Sequence, residues 1–241
     1  MIKTITFIAI TLLTGAIYGT ILAIANMGIV LPFIEQAIAL ENERDAEQGE
    51  RLDDFEFDNY RVWQLTGQIA AGTILGTSVG ALFGLVFAYN RSSIPASTNL
   101  KKALILAGIM WFVLFIVPAF KYPANPPAVG NPETIYYRQS LYLAYLTISG
   151  LTVLGVAFLY RKLGNKQAKR GRISAIYAGL IIAAYLILPP NPDAITAPME
   201  LVVGFRIASG FTMSVFWLLL GFFLGWFWDK FKPHESLKVS I

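Results

Sequence analysis

The chain has 241 residues, 56 % hydrophobic and 14 % charged, with a formal net charge of +4 and a mean hydropathy of +0.58. Soluble domains carry about a quarter charged residues, so this balance is that of an integral membrane protein. With no cysteine and a single histidine, His234 in the C-terminal tail, disulfides, thiolate centres, a Ser/His triad and a histidine-held metal or haem are excluded.

A spanning helix needs about 20 apolar residues, and the sequence predicts an all-α polytopic protein forming a single transmembrane domain over 1–241. Its six spans fall near 4–25, 65–89, 103–120, 141–160, 173–188 and 201–228. The first imitates a secretory signal, with Lys3 ahead of an apolar run ending in Ala23, Ile24 and Ala25. A signal core has about 7 to 15 apolar residues, and this run has the length of a span, so a retained helix is expected. An acidic loop at 26–64 follows, with ten acids against Arg44, Arg51 and Arg61. It reads either as a solvated helix and loop or as a surface that concentrates cations. Within it, Phe33, Ile34, Ala37, Ile38 and Glu41 stand at helical spacing, so a helix continues past Pro32 along the membrane edge and holds Glu35 near the apolar boundary.

The second span carries Gly72, Gly76, Gly80 and Gly84 on one face. Such a face either seats a neighbouring backbone, as close packing in lipid requires, or lines a path. Between the third and fourth spans lies KYPANPPAVGNPETIYYR, residues 121–138, and PPNPDAITAP at 189–198 is a second proline-rich loop. Proline fixes φ and removes an N–H, so both loops are stiff and leave carbonyls free. On that frame Asn125, Asn131 and Glu133 either offer oxygen ligands or form turns; Glu35, Asn125 and Glu133 are the metal candidates. In the last span Arg206 lies about 9 Å deep at 1.5 Å per residue. It either snorkels to the interface or meets a carboxylate, with Glu133, Glu35 and Glu200 as candidates.

Lys3, Arg91, Lys101, Lys102, Lys230, Lys232, Lys238 and the six basic residues between 161 and 172 fall on one side of these spans. Only Arg44, Arg51, Arg61, Lys121 and Arg138 fall on the other. The asymmetry places both termini in the cytoplasm of a multi-pass cell-membrane protein. The basic inner face suits anionic lipid, and nothing implies a nucleic-acid partner. No GxxxxGK[ST] or GxGxxG motif supplies a nucleotide site.

Four blocks, PFIEQAIALE, GALFGLVFAY, KYPANPPAVGNPETIYYR and GFRIASGFTMSVFWLLLGFFLG, together resemble the CbtA family of predicted cobalt transporter subunits. The resemblance touches nearly every span. It implies a non-enzymatic membrane subunit of a divalent-cation importer, with cobalt as substrate, no permanently bound cofactor, and a link to cobalamin supply. It also implies a small one-helix CbtB-like partner with a histidine-bearing tail. The signature block carries over to Lys121, Tyr122, Pro123, Asn125, Pro126, Pro127, Gly130, Pro132, Glu133 and Arg138, while Glu35 and Arg206 fall in two other blocks. The chain itself offers only oxygen ligands, so imidazole for Co²⁺ has to come from the partner. The alternative from a different class is a non-transporting scaffold or assembly subunit of a membrane complex.

The orientation is checked with single cysteines at Asn90 and Asn191. An impermeant thiol reagent added to intact cells is expected to label position 191 and spare position 90, and the reverse pattern would invert the topology.

Overall fold

The computed structural model describes residues 2–47, 54–127, 129–163 and 167–233, and among them all regular structure is helical. The helices are α1 (Ile2–Ile29), α2 (Leu31–Glu47), α3 (Asp54–Asn90), α4 (Asn99–Trp111), a π-turn (Phe112–Ile116), α5 (Val117–Lys121), a 3-10 turn (Pro132–Thr134), α6 (Ile135–Leu163), α7 (Gln167–Ile187) and α8 (Met199–Phe231). Five stretches are long and apolar enough to cross a membrane: Thr4–Ile29, Arg61–Asn90, Asn99–Lys121, Pro132–Leu159 and Met199–Phe231. The fifth predicted span falls on α7, whose apolar part, Gly171–Ile187, is shorter. At 1.5 Å per residue it reaches about 25 Å, against a hydrocarbon core of about 30 Å. The structure thus supports a polytopic membrane protein with five long helices and one short one.

Within the acidic stretch 26–64 the expected helix after Pro32 is present as α2, and the described residues on either side of it belong mostly to the end of α1 and the first turns of α3. Pro32 sits in the first turn of α2, where its missing N–H has no partner to lose. Residues 48–53 and the tail with His234 lie outside the described residues.

The chain divides into two compact units, one of residues 1–109, 126–128 and 199–241, the other of residues 110–125 and 129–198. In the first unit the glycine face of α3 lies on α1. A Cβ on Gly76 would strike the Gly15 carbonyl and the Gly19 Cα, and one on Gly80 would stand 2.7 Å from the Gly15 Cα. Thr11 covers Gly84, and the hydroxyls of Thr20 and Thr73 meet at 2.7 Å across the same contact. Helix α8 packs aromatic rings against α1 and α3: Tyr18 on Phe223 at 4.8 Å, and Trp228 between Phe7 at 5.7 Å and Phe87 at 4.9 Å. Gly221 and Gly225 of α8 admit Ala107, Ala103 and Leu100 of α4. At that end Asp229 accepts from the backbone N–H of Asn99 and of Leu100, and from Asn99 Nδ2, at 3.3, 3.0 and 2.7 Å. It thereby satisfies donors that the first turn of α4 cannot pair within the helix. At the opposite end of the unit α2 inserts Phe33 against Gly204, beside Val30, Phe205 and Ala208.

The second unit contains the end of the third long span, α6 and α7. Pro118 has no N–H, and in an α-helix its ring would clash with the carbonyl four residues back. The chain answers with the π-turn, in which the Val117 N–H bonds the Phe112 carbonyl. That register withdraws from the Val113 carbonyl its α-helical donor, Val117. Its π-helical donor would be residue 118, which is proline. The hydroxyl of Ser149 on α6 donates to this carbonyl at 2.7 Å, and the Tyr177 hydroxyl on α7 lies 2.9 Å from the Ser149 oxygen. One turn further along both helices, the Tyr145 hydroxyl donates to the Ile181 carbonyl at 3.4 Å. Ser149 and Tyr145 are fully buried.

The α1–α3 contact leaves no room for a side chain at Gly76, whereas Gly67 on the same helix faces open space. Gly76→Leu is expected to destabilise the detergent-solubilised protein by at least about 1 to 3 kcal/mol, and Gly67→Leu by less than about 0.5 kcal/mol. Equal melting temperatures for the two variants would show that the glycine contact does not carry the packing.

Candidate functional site

The loop end of the second unit is built from the signature block and the proline-rich loop after α7. Gly130 adopts φ 103°, a left-handed conformation that favours glycine. A Cβ at this position would also stand 2.7 Å from Asp193 Oδ2 and 3.0 Å from an Arg138 guanidinium nitrogen. The tight turn lets Asp193 reach the block. Its Oδ2 accepts from the Asn131 N–H at 2.9 Å and the Thr134 hydroxyl at 2.7 Å and forms an ion pair with Arg138, whose Nε lies 3.0 Å away and donates to the Thr134 hydroxyl at 3.1 Å. Arg138 also donates to the Asn131 carbonyl at 3.0 Å. The Asn131 side chain accepts from the Glu133 N–H at 2.9 Å and so caps the 3-10 turn. The side chain of Asp193 is only 8 % exposed. The Thr134 hydroxyl is the largest influence holding its carboxyl below the ordinary range; partial desolvation opposes it, and the Asn131 N–H and the Arg138 charge lower it further.

Beside this clamp, Lys121 Nζ donates to the Tyr185 carbonyl at 2.6 Å and lies 4.4 Å from the centre of the Tyr185 ring and 5.5 Å from that of Tyr122. Tyr185 is in the last turn of α7, where carbonyls lack helical donors and the helix end is negative, so a cation is stabilised there. The Tyr122 hydroxyl donates to the Pro189 carbonyl at 2.6 Å. Three separate contacts thus hold residues 121–138 to the end of α7 and the loop that follows it.

Residues 4–229 match the family described as "Probable cobalt transporter subunit (CbtA)". This chain belongs to the CbtA family. The match takes in nearly the whole of the five long apolar helices, which fit a polytopic membrane protein, and the family's description is that of a transporter subunit. No curated protein and no solved structure matches the chain.

In this CbtA-family chain, the site gathers Lys121, Tyr122, Asn131 and Arg138 among the residues singled out from sequence, with Glu133 contributing its backbone N–H while its side chain is exposed. Asn125 is half-buried in the same block. Glu35 and Arg206 belong to the other unit. There Glu35 Oε1 accepts from Arg61 Nη2 at 3.0 Å, and Arg206 is half-buried in α8. Gly72, Gly76, Gly80 and Gly84 form the contact with α1 described above. The decisive acid, Asp193, is absent from the sequence-based candidates. The available signal was that it is the sole acidic residue of PPNPDAITAP and stands among stiff prolines. Among the described residues no group of three or more His, Cys, Asp or Glu could hold a metal ion.

Because the carboxyl of folded Asp193 titrates below its ordinary value of 3.8, the contact stabilises the fold above that value. The stabilisation is lost as pH falls through the lowered one. Asp193→Asn is therefore expected to melt earlier than wild type at pH 7 and to lose less on acidification between pH 5 and pH 2. Parallel acid profiles for the two proteins would remove Asp193 from the clamp.

Proposed function

We propose that the chain is the membrane subunit of a cobalt importer serving cobalamin supply, set in the cell membrane with both termini cytoplasmic. We further propose that it works with a one-helix CbtB-like partner bearing a histidine tail. The observation that carries this reading is the family match from residue 4 to residue 229. The charge asymmetry of the sequence supports the orientation, and it makes the clamped signature block the outward entrance, with Lys121, Tyr122, Asn125, Asn131, Glu133 and Arg138 around it.

The commitments of the carboxylates support a partner. Glu35 is engaged by Arg61 and Asp193 by Arg138, so neither is a free metal ligand. Co²⁺ is bound well by imidazole, whereas oxygen sites suit Mg²⁺, Ca²⁺ and Mn²⁺. Selectivity for cobalt therefore comes from histidines on another chain, and the role left to this one is passage across the membrane. Cobalt is substrate in this reading and not a resident cofactor.

Labelled cobalt uptake is measured in cells carrying neither chain, this chain, the partner, or both. Uptake is expected to rise several-fold only where this chain is present and to be highest with both. Uptake that follows the partner and ignores this chain would make it a scaffold.

A further inference from the structure

We infer that the end of the first unit where α3 and α8 finish and α4 begins holds a phosphate group, monoester or diester, gripped by the Arg91 guanidinium. The inference is independent of the importer reading. It rests on a positive charge that the fold positions and leaves without an ion pair.

Arg91 follows the last residue of one long span, Asn99 opens a second, and Asp229 is two residues from the end of a third. Three span ends therefore meet at one level, where hydrocarbon gives way to headgroups. Aromatic rings mark the same level: Tyr89 is 73 % exposed and Trp226 42 %, and amphipathic rings collect at that boundary. Among the described side chains of this unit, Arg91, Lys101, Lys102, Lys230 and Lys232 stand at this end against one acid, Asp229. Its carboxylate is occupied by the Asn99 N–H, the Leu100 N–H and Asn99 Nδ2. The end is positive, and its one acid is already engaged.

Arg91 differs from the lysines around it. It is half-buried; burial pushes its pKa down and Asp229 opposes the change, while a guanidinium stays protonated at neutral pH. Its Cζ lies 5.9 Å from the centre of the Trp228 ring, and Nη1 donates to Asn99 Oδ1 at 3.4 Å. Asn99 is itself oriented, because its Nδ2 donates to Asp229 at 2.7 Å and leaves the amide oxygen for Arg91. A ring face beneath the fork and one amide oxygen at its edge hold its plane without consuming it. Of the five N–H donors of a guanidinium, Asn99 takes one, and Arg91 forms no ion pair among the described residues. The indole N–H of Trp228, a residue only 1 % exposed, also lacks an acceptor. Adjoining donors without acceptors, one of them a partly desolvated cation, require an anion that brings several oxygens.

Phosphate meets that requirement. Its oxygens match the rigid fork bidentately, which an ammonium cannot reproduce, and every phospholipid carries one at the depth where these span ends meet. A free phosphate arriving from the aqueous side has the same chemistry, so the two sources are separated by experiment.

The full chain is purified in dodecyl maltoside, which contains no phosphate. Dioctanoyl phosphatidylglycerol, dioctanoylglycerol and inorganic phosphate are each titrated, with native mass spectrometry and the shift of the melting temperature as readouts. Wild type is expected to bind the phosphatidylglycerol saturably and to be stabilised by it, and dioctanoylglycerol, which lacks the phosphate, is expected to do neither. Affinity is expected to fall at least about tenfold in Arg91→Gln and about threefold or more in Arg91→Lys, which keeps the charge and loses the fork. It is expected to stay within about twofold in Lys101→Gln and Lys230→Gln, because exposed charges contribute only screened attraction. Phosphatidylglycerol binding well above that of inorganic phosphate identifies a lipid headgroup; equal affinities, both lost in Arg91→Gln, identify free phosphate. If Arg91→Gln does not fold, Arg91→Lys carries the comparison, and unchanged affinity there overturns the inference. Binding of neither phosphate compound, equal binding of dioctanoylglycerol, or an equal loss in all the variants overturns it as well, the last by reducing the site to diffuse attraction.

Discussion

The carbonyl of Val113 constrains the second unit more than any other group does. An unpaired carbonyl in hydrocarbon costs several kcal/mol, because no water is there to accept the task. A typical interhelical side-chain hydrogen bond in lipid is worth only about 0.6 kcal/mol net, since its members find other partners when apart. The asymmetry decides which is cause and which is response. Pro118 fixes the π-turn, the π-turn leaves Val113 without a donor, and α6 must then bring a hydroxyl to that point on the helix. Ser149 cannot slide along α6 without abandoning the carbonyl, so the register of α6 against the π-turn is set. Tyr177 meets the same oxygen and ties α7 to that register.

The first unit solves the same problem by other means. Its helices are unbroken, so each span pairs its own backbone, and association depends on how closely two cylinders approach. The glycine face of α3 on Gly15 and Gly19 brings backbone onto backbone, and dispersion summed over many atoms outweighs the Thr20–Thr73 and Gln68–Ala23 hydrogen bonds across it. Helix ends remain the exposed point, since four N–H groups at each start have no partner within the helix. Asp229, carried to the start of α4 by the length of α8, accepts from two of them. A carboxylate at the edge of a span would otherwise be unfavourable, and the positive end of α4 stabilises it.

What was legible in the sequence was local. Hydropathy over about 20 residues marked the long helices, the four-residue period of Gly72 to Gly84 marked a face, and Phe33, Ile34, Ala37 and Ile38 marked the helix after Pro32. The same local reading counted α7 among the spans because it weighs apolarity before length, and within the outer stretch 26–64 it marked a helix after Pro32 but not how far helix extends there. The long-range contacts within each unit were not legible. Arg138 meets Asp193, Ser149 meets Val113, and Asp229 meets Asn99 and Leu100 across 55, 36, and 130 and 129 residues respectively. Nothing in a window of one helix fixes such pairs. Proline 118, inside an apolar run, was the one visible sign that the third long helix would break its ladder, and only the structure shows where the freed carbonyl goes.

Charge is distributed so that the interior of the membrane stays formally neutral. In the five long apolar helices every Asp, Glu, Lys and Arg stands within about two turns of an end. Of the carboxylates near those ends, Glu35, Asp193 and Asp229 are each consumed by structure, one by Arg61, one by Arg138 and one by the first turn of α4. Free acid is concentrated on α2, where the Glu41 carboxyl is pushed up by partial desolvation and by Asp45, against the pull of Arg44. On the importer reading, such a crowded acidic helix would raise the local concentration of cations without binding any one of them tightly. On the importer reading proposed above, a divalent ion drawn there would find no cluster of carboxylates among the described residues to replace its hydration shell. On that same reading, water or ligands from a second chain would have to carry such an ion, and this division of labour is what a subunit, as distinct from a complete carrier, would show.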